Sequence, residues 1–122
     1  MAALMMAFEA PDSPGSVSAQ SRKPIDLAHL ANQTMGDQSL EAEVLRLFAR
    51  QARLAMAEMT NGDTDRRGQA AHRLKGAALA VGATCVADAA AAVEEQPGDA
   101  MRLNGLAAAV LEAELFILKL CR

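Results

Sequence analysis

Residues 68 to 83 contain the side chains whose types and spacing could do chemistry. On a helix, with about 100° per residue, His72 points away from the apolar face and projects into solvent from mid-helix. Lys75 lies one turn further on the same side, and Leu79 continues that side with an apolar group. A neutral imidazole in such a position can act as a nucleophile that accepts and then donates a phosphoryl group.

Two glycines flank this histidine at helical spacing, Gly68 four residues before it and Gly76 four residues after it. A glycine in a helix interior costs about 1 kcal/mol relative to alanine. In a chain with 28 alanines, alanine would have been the ordinary choice at both positions. We therefore expect both glycines to provide clearance, so that another molecule can approach the imidazole closely.

The charged residues around this histidine in the sequence are all basic. No acidic residue occurs between Asp65 and Asp88, although the chain as a whole is acidic. This interval predicts a local basic surface that keeps the imidazole neutral and offsets the charge of a bound phosphoryl group. We expect Lys75, with Arg73 and Gln69, to stabilise that group. The cations of the interval are Arg66, Arg67, Arg73 and Lys75.

The composition indicates the kind of fold that carries these residues. The chain has 122 residues, of which 52% are hydrophobic and only 2% aromatic. Abundant alanine and leucine with few β-branched or aromatic residues favour an all-α domain and argue against a β-sandwich, a barrel or a doubly wound sheet. The net charge of −3 provides no general field for nucleic acid or an anionic membrane. No membrane-spanning segment is predicted.

The chain divides into a flexible N-terminal tail, residues 1–23, and a helical domain, residues 24–122. Five helices are predicted over residues 26–35, 38–59, 64–81, 84–95 and 99–120, with short loops between them. Asp26, Asp63 and Asp99 are expected as N-caps, and Gly36 and Gly82 as terminators. This pattern predicts an antiparallel four-helix bundle with a short additional N-terminal helix.

Apolar residues at three- and four-residue spacing predict which face of each long helix is buried. The second helix should bury Leu40, Val44, Leu47, Phe48, Leu54, Ala55 and Met59. The third should bury Ala70, Ala71, Leu74, Ala77, Ala78 and Val81. The last should bury Leu103, Leu106, Val110, Leu111, Ile117 and Leu118.

The stretch from Ala71 to Ala77, followed by Gly82, resembles the signature of histidine-containing phosphotransfer (HPt) domains. Residues 25–27 and 45–48 of this chain also resemble residues that the family has at the corresponding places. The similarity therefore covers about residues 24 to 121. By this resemblance His72 is the phosphoacceptor, Lys75 its basic neighbour and Gly76 the clearance position. Two departures are Ala77, where serine is frequent, and Leu79, where a small or polar residue is frequent.

The resemblance implies a function. HPt domains relay phosphoryl groups between aspartates of response-regulator receiver domains through Nε2 of the histidine, in multi-step phosphorelays. The receiver brings the Mg²⁺, so no cofactor of the chain's own is expected. No phosphate-cradling glycine loop occurs, which predicts no kinase or nucleotide-binding activity. The expected partners are receiver domains and a hybrid histidine kinase, and the expected state is a cytoplasmic monomer that binds neither nucleic acid nor membrane.

Other functions remain open from the sequence alone. The same fold could serve as an adaptor that binds receivers or a kinase without being phosphorylated. A helical bundle that oligomerises is a second alternative, and a histidine-kinase dimerisation domain is a weaker one. The second histidine, His29, lacks comparable neighbours and is predicted to be an ordinary surface residue. A metal site is not expected, because the two histidines are far apart in the chain.

Overall fold

The computed structural model describes residues 23–121 of the chain. These residues form five α-helices and contain no strand, so the predicted all-α class is confirmed. The predicted tail lies outside the described residues except for Lys23. In chain order the helices are α1 (Leu27–Thr34), α2 (Gln38–Asn61), α3 (Thr64–Val81), α4 (Thr84–Glu95) and α5 (Ala100–Leu120).

Aspartate side chains begin four of these five helices. Asp26, Asp37, Asp63 and Asp99 are the N-caps, and each carboxylate accepts a hydrogen bond from a backbone N–H in the first turn. Such a cap contributes about 1 kcal/mol to stability. Three of the four caps were predicted, whereas the cap at Asp37 was not. Ala83 is at the N-cap position of α4 and provides no side-chain cap.

Left-handed backbone conformations end α1 and α3. Gly82 has φ of 79° and closes α3, and its N–H bonds to carbonyls of the last turn. The end of α1 differs from the prediction, because Met35 already adopts φ of 55° before Gly36 follows at 79°. A side chain in this conformation is uncommon outside Gly, Asn and Asp. Met35 is almost fully exposed, so its side chain meets no obstacle there.

The four longer helices contact one another in a closed order. α2 packs on α3, α3 on α4, α4 on α5, and α5 back on α2. α1 packs on α2 and α3. Among residues 23–121, Phe48 is the only aromatic residue that is fully buried, and small side chains let the helices approach closely. Its alanines are Ala52, Ala55, Ala70, Ala71, Ala78, Ala83, Ala87, Ala90 and Ala113.

The predicted apolar faces are partly wrong in α2 and α5. Leu54 is 64% exposed and Leu118 is 67% exposed, whereas the small Ala52 and Ala113 are buried. The core accepts small side chains at close helix contacts, so some of the larger leucines lie on the flanks. Leu40, Leu47 and Leu111 are also exposed, and Leu45, which the predicted face omits, is fully buried. None of the helices between residues 23 and 121 is long and apolar enough to cross a membrane.

Candidate functional site

α3 presents two opposite faces, as the sequence predicts. Ala70, Ala71, Leu74 and Ala78 are buried against the neighbouring helices. His72 lies on the other face in mid-helix, and its side chain is 65% exposed. The predicted outward projection of the imidazole is therefore confirmed. The backbone of α3 is fixed at both ends by the Asp63 cap and by Gly82, which holds the imidazole on a rigid element.

A carboxylate from α4 holds one edge of the imidazole. Nδ1 of His72 lies 2.7 Å from Oε2 of Glu94. An ionised carboxylate can only accept hydrogen bonds, so Nδ1–H is the donor. Nε2 of His72 has no hydrogen-bond partner among residues 23–121. The ring is thus anchored on one side and free on the other.

Lys75 contacts the same carboxylate through the other oxygen. Its Nζ lies 2.9 Å from Oε1 of Glu94, and both side chains are 32% exposed. The hydrogen bond from Lys75, followed by that from His72, lowers the pKa of Glu94, and partial burial opposes this shift. Glu94 therefore stays ionised at neutral pH. Lys75 and His72 share one side of α3, as predicted, but a carboxylate lies between them.

The basic surface predicted around the histidine is only partly present, because two of its four cations pair with carboxylates of neighbouring helices. Arg73 bonds to Glu58 of α2 at 2.7 Å instead of facing the imidazole freely. Arg67 donates hydrogen bonds to the backbone carbonyls of Met59 and Pro97. With Lys75 bound to Glu94, three of the four cations are already paired or structural. The charged group nearest the ring is an anion, which the sequence interval free of acids does not reveal.

The two flanking glycines differ in their surroundings. A methyl group added at Gly76 would meet no atom within 4 Å, so the predicted clearance on that side is present. A methyl group at Gly68 would lie 3.5 Å from Cγ of Pro97, in ordinary van der Waals contact. The α4–α5 loop therefore partly covers the Gly68 side. Open approach to the imidazole is from the Gly76 side.

The imidazole lines a shallow depression of about 650 Å³ between α3 and the end of α4. Gln69 and Arg73 line the same depression, which brings two of the expected supporting residues near the histidine. Leu79 is outside it and 53% exposed. The lining residues are Thr64, Asp65, Gly68, Gln69, His72, Arg73, Glu94 and Pro97.

Glu94 is the site residue that sequence reasoning missed, although a signal for it exists. α3 and α4 are joined by only Gly82 and Ala83, so they pack as an antiparallel pair. Both helices rise by about 1.5 Å per residue. Residues at about equal distances from the two-residue loop therefore lie side by side on the two helices, such as one ten positions before Gly82 and one eleven positions after Ala83. These two positions are His72 and Glu94.

The second histidine has a structural role. His29 lies at the end of α3, where its Nε2 is 3.2 Å from the carbonyl oxygen of Ala80. A carbonyl only accepts hydrogen bonds, so Nε2–H donates and the ring braces α1 on α3. His29 is half-buried rather than fully exposed, which corrects the prediction of an ordinary surface histidine.

Comparisons of this chain with known protein families, characterised proteins and solved structures find no significant match.

Proposed function

We propose that this protein is a histidine phosphotransfer domain. His72 carries a phosphoryl group on Nε2 between aspartates of response-regulator receiver domains in a multi-step phosphorelay. The observation that carries the proposal is the state of the imidazole. It is exposed in mid-helix, anchored at Nδ1 by Glu94, and free at Nε2.

The arrangement of the helices supports an antiparallel four-helix bundle with α1 across one end. Loops of two residues follow α2 and α3, and a loop of four residues follows α4. Such short connections favour antiparallel neighbours. The closed order of contacts from α2 to α5 and back is the order expected for a four-helix bundle. A bundle of this kind exposes the outer face of each helix, which is where an acceptor histidine must lie.

The proposed step needs no proton transfer from Nε2, because the proton of the neutral ring is on Nδ1. The lone pair of Nε2 attacks the phosphorus of an aspartyl phosphate, and an N–P bond forms. The P–O bond to the aspartate breaks, and the carboxylate leaves with the electron pair. Attack by the carboxylate of a second receiver reverses these changes. The protein's own contribution is to present and orient the nucleophile, and the receiver supplies the Mg²⁺.

The surroundings of the imidazole also suit a docked partner. Gly76 leaves one approach open, and Leu79 offers an exposed apolar contact one turn beyond Lys75. Gln69 and Arg73 line the depression beside the ring, where Arg73 is paired with Glu58. We propose that both contact a phosphoryl group or the partner when it docks. The proposed partners are cytoplasmic receiver domains and a hybrid histidine kinase, and the proposed protein is a monomer without kinase activity.

Intact-mass analysis tests this function. The protein is incubated with a phosphorylated receiver domain and Mg²⁺, alongside His72→Gln and a matched His29→Gln variant. We expect one added phosphoryl group on the wild type and on His29→Gln, and none on His72→Gln. The modification should be lost in acid, because the N–P bond of a phosphohistidine is acid-labile.

A phosphoryl group that persists on His72→Gln would contradict the assignment. If no receiver modifies the wild type although binding is measured, the protein is an adaptor that engages receivers without phosphorylation. If neither occurs and light scattering gives a mass that rises with concentration, an oligomerising bundle is the better description.

A further inference from the structure

We propose that Arg67 is a positioning residue that holds the α4–α5 loop, residues 96–99, as a rim of the His72 depression, and that a docked receiver rests on this rim. The inference deepens the proposed phosphotransfer function and rests on it for its kinetic part. Its structural part, the attachment of the loop to α3, is a property of the protein alone and can be measured without any partner.

Arg67 joins two segments of the chain that are distant in sequence. Its side chain is half-buried, and its Nε donates a hydrogen bond of 3.0 Å to the carbonyl oxygen of Met59. Its Nη1 donates one of 2.9 Å to the carbonyl oxygen of Pro97. Met59 lies in the last turn of α2, where carbonyls lack partners within the helix. The planar guanidinium has donors in fixed directions, so one side chain holds both segments.

The guanidinium of Arg67 is used inside the fold. Among residues 23–121 it forms no ion pair, and backbone carbonyls are its only hydrogen-bond acceptors. No other hydrogen bond in this part of the chain joins the loop to α2 or α3, since the remaining bonds of residues 96–99 stay within the loop, α4 and α5. Arg67 does not line the depression. It therefore acts on a docked partner only through the loop.

The loop lies against α3 on one side of the histidine. Pro97 lines the same depression as His72, and a methyl group at Gly68 would lie 3.5 Å from Cγ of Pro97. A methyl group at Gly98 would lie 3.9 Å from Cγ2 of Thr64 in the first turn of α3. Gly68 precedes His72 by one helical turn, or about 6 Å. The loop thus forms a rim about one turn from the imidazole, on the side opposite the open approach.

A receiver that brings phosphorus to Nε2 of His72 must cover the surface around the ring. A stable protein interface covers about 800 Å² on each partner, which corresponds to a disc of about 16 Å radius. The rim lies well within such a disc centred on the imidazole. A loop that moves away from α3 would therefore remove part of the surface on which the partner rests. Docking would weaken, although no residue that touches the reacting atoms has changed.

Hydrogen exchange tests the attachment of the loop. The backbone amides are followed by NMR in the wild type, in Arg67→Met and in the matched control Arg66→Met. Arg66 is the adjacent exposed residue, and its side chain forms no hydrogen bond among residues 23–121. The amide of Asp99, which bonds to the carbonyl of Gln96, reports on the loop.

We expect this amide to exchange about tenfold faster in Arg67→Met, because a charge-assisted hydrogen bond to the loop is lost. Arg66→Met should exchange as the wild type does. Circular dichroism checks that each variant is folded. If Arg67→Met is not helical, Arg67→Lys takes its place, because a lysine keeps the charge but not the forked donors that reach both carbonyls.

Transfer kinetics with two phosphoryl donors test the rim. One donor is a phosphorylated receiver with Mg²⁺, and the other is phosphoramidate, a small molecule that needs no docking surface. Arg66→Met removes the same charge as Arg67→Met and so measures the effect of charge alone. With the receiver, we expect the KM of Arg67→Met to be about tenfold above that of Arg66→Met, with a smaller change in kcat. With phosphoramidate, the two variants should react with His72 at equal rates.

The two proposals fail in different ways. An unchanged exchange rate at Asp99 in Arg67→Met would overturn the attachment of the loop by Arg67. Faster exchange with equal KM values in the two variants would make Arg67 a structural brace and overturn the docking role. Slower reaction of Arg67→Met with phosphoramidate would also overturn it, because the change would then act on the ring. If neither donor phosphorylates the wild type, the proposed function and the docking role fail, whereas the exchange rates still decide the attachment.

Discussion

The middle and the C-terminal end of α3 use the same residue types in opposite ways. In the middle, Gly76 borders open space, and the histidine one turn before it keeps Nε2 free. At the end, Gly82 is buried against α1, and His29 uses its Nε2 to bind a backbone carbonyl. The end of the helix is used in packing against α1, whereas in its middle Nε2 of His72 has no hydrogen-bond partner among residues 23–121.

This difference shows why residue type alone does not identify a site. An imidazole nitrogen that donates its proton to a backbone carbonyl has no lone pair available for nucleophilic attack. His29 and His72 each make one side-chain hydrogen bond, but His72 makes it through Nδ1 and lies on an exposed face. Substitutions at the glycines of the two regions should separate folding from function.

The largest effect is expected at the closed end of α3. Gly82→Ala forces a side chain into a left-handed conformation, which costs about 1–2 kcal/mol. The new methyl group would also lie 3.0 Å from the carbonyl oxygen of Asp26, so the α1–α3 contact must shift. That shift weakens the 2.8 Å hydrogen bond from Asp26 N to Gly82 O. We expect a total loss of about 3 kcal/mol in the free energy of unfolding, measured in urea.

Gly36→Ala provides the matched control. Gly36 has the same φ of 79°, but a methyl group there would meet nothing within 4 Å. It should lose only the conformational part, about 1–2 kcal/mol. Equal losses at the two glycines would show that the packing of α1 against Gly82 contributes nothing to stability.

A smaller effect, of opposite sign, is expected in the open middle. Gly76→Ala should raise the free energy of unfolding by about 1 kcal/mol, because alanine is the better helix former and its methyl group meets no neighbour. Transfer from a phosphorylated receiver should nevertheless slow, since the methyl group narrows the approach to His72.

Gly105 in α5 has equally open surroundings, so Gly105→Ala is the control for this gain. It should stabilise the fold by a similar amount and leave the transfer rate unchanged. Destabilisation by Gly76→Ala would mean that this glycine serves packing. Unchanged transfer would mean that clearance at this position is irrelevant to the partner.

Local signals predict most of the fold. The caps at Asp26, Asp63 and Asp99 and the terminator Gly82 act within one turn of their own positions, so the sequence alone reveals them. Burial depends instead on which neighbours a helix meets. The predicted faces included Leu54 and Leu118, which are exposed, and omitted Ala52 and Ala113, which are buried at helix contacts.

In the candidate site, too, features set within one helix were predicted and contacts from other helices were not. The exposure of His72 and the open surroundings of Gly76 follow from helical spacing within α3 and were predicted. The carboxylate of Glu94 comes from another helix, 22 positions along the chain. The interval without acids predicted a basic surface at the imidazole, but Glu94 of α4 places a carboxylate against the ring and pairs with Lys75. The pairing of Arg73 with Glu58 escaped prediction for the same reason.

The smallest expected effect is on the pH dependence of the free energy of unfolding. It tests how Glu94 holds Lys75 and His72 in the middle of α3. Hydrogen bonds from Lys75 and His72 lower the pKa of folded Glu94 below its ordinary value of 4.5. The resulting stabilisation is fully present above that value and is lost as the pH falls through the lowered pKa. Glu94→Gln removes it at every pH. We therefore expect the wild type to be more stable than Glu94→Gln at pH 5.5, with the difference shrinking towards pH 3.

Urea titrations of both proteins at the two pH values measure this difference, and because all other carboxyl groups are common to both, it isolates Glu94. The magnitude should be small, since partly exposed ion pairs contribute little to stability. A difference that grows as the pH falls would mean that the carboxylate is held less favourably in the folded protein than in the unfolded chain. The open middle of α3 would then lack the anchor that distinguishes His72 from an ordinary exposed histidine.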